Sequence, residues 1–268
     1  IISCFLIGYV IYYSSSVILI KVVEQSLKEL ASQGAYIVKN ELENHLYLLK
    51  TIAKSASINN PNYGSFGLNE SLKRFRGGSK NLELYLFDTE GFIISDAENI
   101  QNIKEHKFFQ KALLGASSYS QPIASFVDGS RIVAFATPIL YNNQVKYVLI
   151  STYQIEELCS IIENISFFDN GDAFMIDSSG YMIAHNNRSL VEARFNVLQA
   201  VKTEPELQRL AELGGHMIRG ESGAGQYYFN GIEKYMAYAP VGDTTWTIAV
   251  TAPRQEVIGG VSRILNLI

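Results

Sequence analysis

Hydrophobic and polar positions divide the chain into stretches of different period. Ile1 to Ile20 contains no charged residue, and Lys21 is the first ion. About 20 apolar residues suffice to cross a bilayer core of roughly 30 Å, so we expect a partial transmembrane helix over 1–20. Tyr9, Tyr12, Tyr13 and Ser14 to Ser16 dilute the run, and a buried helix of a soluble fold or a signal-peptide core also fits it. From Lys21 to about Ser57 there is no Pro and the only Gly is Gly34. Leu27, Leu30, Ile37, Leu42, Leu46, Leu49 and Ala53 recur there mostly at three- and four-residue spacings, the period of an amphipathic helix. At 1.5 Å per residue such a helix is roughly 55 Å long. It reads as a spine over 21–59, able to pair as a coiled coil with a second copy.

Turn-forming residues from Asn59 to Gly64 end the helical pattern. Beyond them the period shortens. Leu82 to Asp88 and Phe92 to Ser95 read as strands around Thr89-Glu90-Gly91. Glu105 to Leu114 reads as a short helix stopped by Gly115. Strands follow near Ile123 to Val127, Arg131 to Ile139 and Val145 to Tyr153, separated by the hairpin signals Asp128-Gly129 and Asn142-Asn143. The plan then repeats. Leu86 to Ser95 matches Met175 to Ala184, with Asp88/Asp177 and Gly91/Gly180 at one offset of 89 residues. Gly129 and Pro138 recur as Gly231 and Pro240 at an offset of 102. A repeat of that length is a duplicated domain, which gives an α+β fold of two tandem antiparallel-sheet modules over 60–165 and 166–252, followed by an exit helix over 253–268. The paired Asp and Gly are read as turn formers, Asp bonding its own backbone and Gly supplying positive φ.

Composition and charge narrow the function. With 47% hydrophobic and 18% charged residues the chain is globular, and a net charge of −4 with scattered cations is not that of a nucleic-acid binder. Cys4 and Cys159 form no CxxC, and a disulfide between them is not expected. His45, His106, His185 and His216 show neither HxxxH nor HExxH, so no zinc site and no other metal site is expected. Gly220 to Gly225 fits neither GxSxG nor GxGxxG and reads as a turn into a strand at Gln226 to Phe229. No nucleophile with its base, metal cluster or phosphate cradle emerges, so neither catalysis nor a cofactor is expected. The missing initiator Met, and the apolar run resuming from Arg263 to Ile268, suggest a piece of a longer chain.

Local motifs then point to a family. Phe108 to Gly115 resembles the "YFQ-x-AL-x-G" helix, and Ala136-Thr137-Pro138-Ile139 the "A-x-P-I" strand, of the membrane-distal module of double Cache domains, which are PAS-like sensors of bacterial transmembrane receptors. Gly171 to Asp177 with Ile183-Ala184-His185 resembles the opening hairpin of the proximal module, and Trp246 to Val250 its closing strand. The resemblance spans about Leu27 to Ile268. It implies a sensor at the cell membrane with extracytoplasmic modules, a small solute in the distal module, and a signal passed through helices to a cytoplasmic output such as a chemoreceptor region, histidine kinase or diguanylate cyclase. The expected partners are a small-molecule ligand, the membrane and a second copy of the chain. A ligand-independent module that dimerises or docks a periplasmic protein, with 196–215 as its surface, is the other reading.

The same resemblance supplies candidate pocket residues: Tyr85, His106, Phe109, Tyr119, Ser125, Arg131, Thr137 and Tyr153. Amino-acid-sensing members of the family carry an Arg, a Trp and a Tyr on the distal helix and an Asp at the end of the last distal strand. Here those positions align with His106, Phe108, Phe109 and Tyr153. The expected pocket thus lacks both ion-pairing partners of a zwitterion, and a less charged or aromatic-contacting ligand is expected. Phe109 and Tyr85 are read first as core packing, and Arg131 first as a solvated hairpin residue.

Overall fold

The computed structural model of the chain describes residues 2–55, 65–77, 83–94, 101–165 and 170–265. The turn expected at 59–64 lies outside them. Helix α1 (Ile2–Lys54) opens the chain, and α2 (Ser65–Gly77) follows. On α1 the buried side is Val23, Leu27, Ala31, Ala35, Val38, Leu42, Leu49 and Ile52, a stripe of 3.6-residue period. Ile37, expected on that stripe, is 47% exposed, because the helical register puts Ala35 and Val38 inward instead. No helix among the described residues is long and apolar enough to cross a membrane. The side chains of residues 2–16, on which the expected span depends, lie outside those described.

The chain divides into two compact units, Asn40–Glu157 and Ile1–Lys39 with Leu158–Ile268, so α1 contributes a segment to each. In the first, strands β1 (Glu83–Phe87), β2 (Ser118–Tyr119), β3 (Ile123–Ala124), β4 (Arg131–Tyr141) and β5 (Gln144–Gln154) form an antiparallel sheet of order β1-β5-β4-β2, with β3 also on β4. Asn142 and Asn143, both at positive φ (49° and 61°), make the tight turn that joins the two long strands. Helix α3 (Lys107–Leu113) puts Phe108, Phe109 and Ala112 on one sheet face, against Phe87, Ala134, Ala136, Val148 and Ile150. The opposite face meets α1, where the His45 ring lies 4.5 Å from that of Phe135.

Helix α4 (Ile155–Glu163) leads into the second unit. There β6 (Ala173–Ile176), β7 (Met182–His185), β8 (Gly223–Phe229), β9 (Ile232–Pro240) and β10 (Thr247–Pro253) pair antiparallel in the order β7-β6-β10-β9-β8. After α5 (Arg188–Glu192), α6 (Gln208–Ile218) covers one face, burying Leu210, Leu213 and Met217 against Phe174, Met236 and Tyr238. The stretch weighed as a docking surface therefore spends its apolar side on its own module. The other face carries Ile248, whose Cδ1 is 2.9 Å from where a Cβ on Gly34 of α1 would sit, so any larger residue there would have to push the Ile248 side chain aside. Helix α7 (Arg254–Leu265) leaves directly from β10.

The duplication is visible in hydrogen bonds. Asp88 Oδ1 accepts from the amides of Glu90 and Phe92, and Asp177 Oδ1 from those of Ser179 and Tyr181. Asn102 and Asn196 brace the two turns alike, each donating to a turn carbonyl (Glu90, Ser179) and accepting from the amide two residues on.

Candidate functional site

Alternation along β1 sends Glu83, Tyr85 and Phe87 to the face of the first sheet that α3 covers. Tyr85 donates its hydroxyl to Glu83 Oε2 at 3.0 Å, and Thr152, directly opposite Glu83 on β5, donates to the same oxygen at 2.9 Å. Phe126 stands edge-on to Tyr85 and Phe87, with ring centroids 5.5 and 5.9 Å apart. Its loop, 125–130, braces itself: Ser125 Oγ accepts from the Val127 amide, and Asp128 Oδ1 from the amide and hydroxyl of Ser130. Those serine hydrogen bonds hold the exposed Asp128 carboxyl below the usual range. A cavity of about 500 Å³ opens on one side of the loop, lined by Ile103, His106, Ile123, Phe126 and Val127. Another of about 530 Å³ opens on the other side, lined by Glu83, Asp128, Thr152, Gln154, Glu156 and Glu157. Burial, with Glu41 and Glu156 nearby, raises the Glu157 carboxyl. Both volumes suit a small metabolite.

In the second module the equivalent acid has an internal partner. Lys234 is 8% exposed, and its ammonium sits on the Asp172 carboxylate. The Asp172 amide donates to Thr251 Oγ1 at 3.2 Å. Tyr227 lies in register with Lys234, and burial raises its phenol. Burial likewise lowers the His185 imidazole to about 4. A cavity of about 630 Å³ lies where α7 leaves the sheet, among Asn170, Tyr228, Ile232, Lys234, Arg254 and Glu256. Arg254 pairs with Glu233, and Asn170 donates to Glu256. Among the described residues no group of three His, Cys, Asp or Glu is placed to hold a metal ion.

With two such modules behind one long helix, the comparison with known families is decisive: the Cache domain family profile, of the double type, matches residues 15–261. The chain belongs to the double Cache family. It is 21% identical over 245 residues to the methyl-accepting chemotaxis protein PscA of Pseudomonas syringae pv. tomato, covering 86% of this chain and 38% of that one. Its fold matches the sensory domain of the Campylobacter jejuni chemoreceptor Tlp3, solved with isoleucine bound, at a TM-score of 0.66 and 17% identity over 91% of this chain and 98% of that one. The ligand-binding domain of the Pseudomonas aeruginosa amino-acid chemoreceptor PctB, solved with L-Arg, gives 0.65 and 17% over 88% and 97%.

Within this double Cache fold the eight expected pocket residues fall on two sides of the first sheet. His106 and Ser125 line the cavity of about 500 Å³; Tyr85 and Phe109 are buried in the aromatic cluster on the same face. Tyr119, Thr137 and Tyr153 lie on the opposite face, toward α1, and Arg131 shares their strand parity. Tyr119 packs on Phe135 at 5.5 Å, and Thr137 Oγ1 is 2.7 Å from Ser117 Oγ. Tyr153 stands edge-on to His45, at 5.3 Å, and its hydroxyl is 3.5 Å from Glu41 Oε1. His106 and Tyr153 are thus not two ends of one clamp: Thr152, one residue earlier, faces the cavity, and alternation sends Tyr153 the other way. Glu83, an acid outside the expected set, lines the cavity of about 530 Å³. Sequence reasoning missed Glu83, Phe126 and Thr152. The one signal for Glu83 was its offset of 89 residues from Asp172, the same as that of Asp88 from Asp177.

Proposed function

We propose that this chain is the extracytoplasmic small-molecule sensor of a bacterial transmembrane signalling receptor. The ligand occupies the α3 face of the first module, and the signal leaves through α1 and α7 to a cytoplasmic output region. The observation that carries this is the pair of cavities flanking 125–130 over the aromatic cluster of Tyr85, Phe87 and Phe126. The bound amino acids of similarly folded chemoreceptor domains support it. The uncharged run Ile1 to Ile20 supports membrane tethering. A homodimer is supported by Ile18, Val22, Tyr36 and Tyr47, all more than half exposed. Their spacings are near whole helical turns, so they form one strip on α1 opposite its buried stripe. A thermal-shift screen of metabolites tests the sensor reading: a true ligand at a hundredfold excess over its Kd stabilises the fold by about 2.7 kcal/mol. Absence of any stabilising compound, with co-purification of a periplasmic protein, would favour the docking reading instead.

A further inference from the structure

We propose that the first module takes a ligand bearing an organic ammonium group and no carboxylate, with Glu83 as the carboxylate that receives it. This rests on the reading of that module as a small-molecule sensor. The two modules supply the argument, because each serves as a template for the other. Glu83 and Asp172 are equivalent, each five residues ahead of the turn aspartate (Asp88, Asp177) and each across from a threonine (Thr152, Thr251). In the second module the partner of that acid is visible: the ammonium of Lys234, nine-tenths buried, sits on Asp172. The residue at the same place in the first module is Ile132, at the 102-residue offset that also relates Pro138 to Pro240. Ile132 is fully buried and brings no charge. Both acids stand opposite a threonine and both regions hold a cavity, about 530 Å³ in the first module and about 630 Å³ in the second, but only the second supplies the acid with an ammonium of its own.

The chemistry around Glu83 selects for a cation. Tyr85 and Thr152 both donate to Oε2, leaving Oε1 for an incoming N–H donor. Asp128, Glu156 and Glu157 line the same cavity, and among the described residues none that lines it is Lys or Arg. A ligand carboxylate would meet like charge there, whereas an ammonium meets opposite charge. The group that meets Asp172 is the primary ammonium of Lys234, a compact three-donor cation, and a primary amine is its counterpart as a ligand.

Titration calorimetry of the whole chain with 1,4-diaminobutane, n-butylamine and, as counter-probe, succinate tests this. Both amines should bind and succinate should not. Glu83→Gln should weaken amine binding by about tenfold or more, as expected for loss of a charge-assisted hydrogen bond. Glu83→Asp, which keeps the charge but withdraws it by one methylene, should give a smaller loss. Asp172→Asn should leave amine affinity unchanged. Binding of amines that ignores Glu83→Gln, or Glu83-dependent binding of Ca²⁺ in place of the diamine, overturns the inference. If no amine binds but another compound class does, with affinity lowered by Phe126→Ala, the ammonium inference fails and the sensor reading stands. If no compound of any class binds, both fail.

Discussion

At the start of its leading strand each module carries an acid opposite a threonine, Glu83 with Thr152 in the first and Asp172 with Thr251 in the second. Around this shared pair the modules diverge. The second pairs its acid with Lys234, which also lines a cavity of about 630 Å³, over a core sealed by Leu210, Leu213 and Met217 of α6. The first covers its sheet with the short α3 and the 125–130 loop, and leaves cavities on both sides of that loop. Duplicating a frame lets one copy pair its half-buried acid internally while the other leaves its acid without a lysine. The proposed function assigns ligand binding to the first module and leaves the second as scaffold.

Breaking the internal pair should have the largest effect. Lys234→Met leaves Asp172 without its counter-ion and should cost the chain about 3 kcal/mol, read as a lower urea midpoint at unchanged m value. Adding Asp172→Asn should restore much of that loss, the signature of a coupled pair. Glu83→Gln, on an exposed carboxylate, should move stability by less than about 1 kcal/mol. Equal losses from Lys234→Met and Glu83→Gln would contradict the comparison.

Acid should act on both modules. His45, in the first, and His185, in the second, are each lowered by burial from the usual imidazole value near 6.5 to about 4. An imidazole depressed in the folded state favours folding in full above its unfolded pKa. That contribution is lost as pH falls from about 6.5 to about 4, because the unfolded chain takes up the proton first. We expect a loss on the order of 2 kcal/mol per histidine between pH 7 and pH 4.5, measured by urea unfolding at those two values. His45→Gln should flatten part of the dependence while His185 retains the rest.

Steric fit separates the two segments of α1. Gly34→Val should clash with Ile248 and Ile165 and cost about 2 kcal/mol, read as loss of amide protection in the second module first. The smallest effect tests the duplication itself. Asp88→Ala and Asp177→Ala each remove an acceptor from two turn amides and should cost similar amounts, about 1 kcal/mol. A twofold or larger disparity between the two melting shifts would show that the turns are not equivalent.

Much of the frame was legible in the residues. Asn142-Asn143 between two alternating apolar runs announced β4 and β5, and the Asp/Gly repeat announced two modules. The equivalence of Asn102 and Asn196 was hidden, because an offset of 94 residues breaks the register of the repeat. The two-residue strands β2 and β3 lack enough positions to show alternation. The site was harder to read. Alternation divides Thr152 from Tyr153 but does not say which face a ligand meets; that depends on α1 covering one face and α3 the other. Glu83 acquires its role only beside Thr152, 69 residues away in sequence, a partnership set by strand register.

The central claim, a ligand seat on the α3 face of the first module, is tested most directly by hydrogen exchange of the chain with and without a compound that raises its melting temperature. The account predicts added protection in β1, at 101–106 and across 123–130, and little change between 208 and 240. Protection confined to the second module, with the first unchanged, would contradict it.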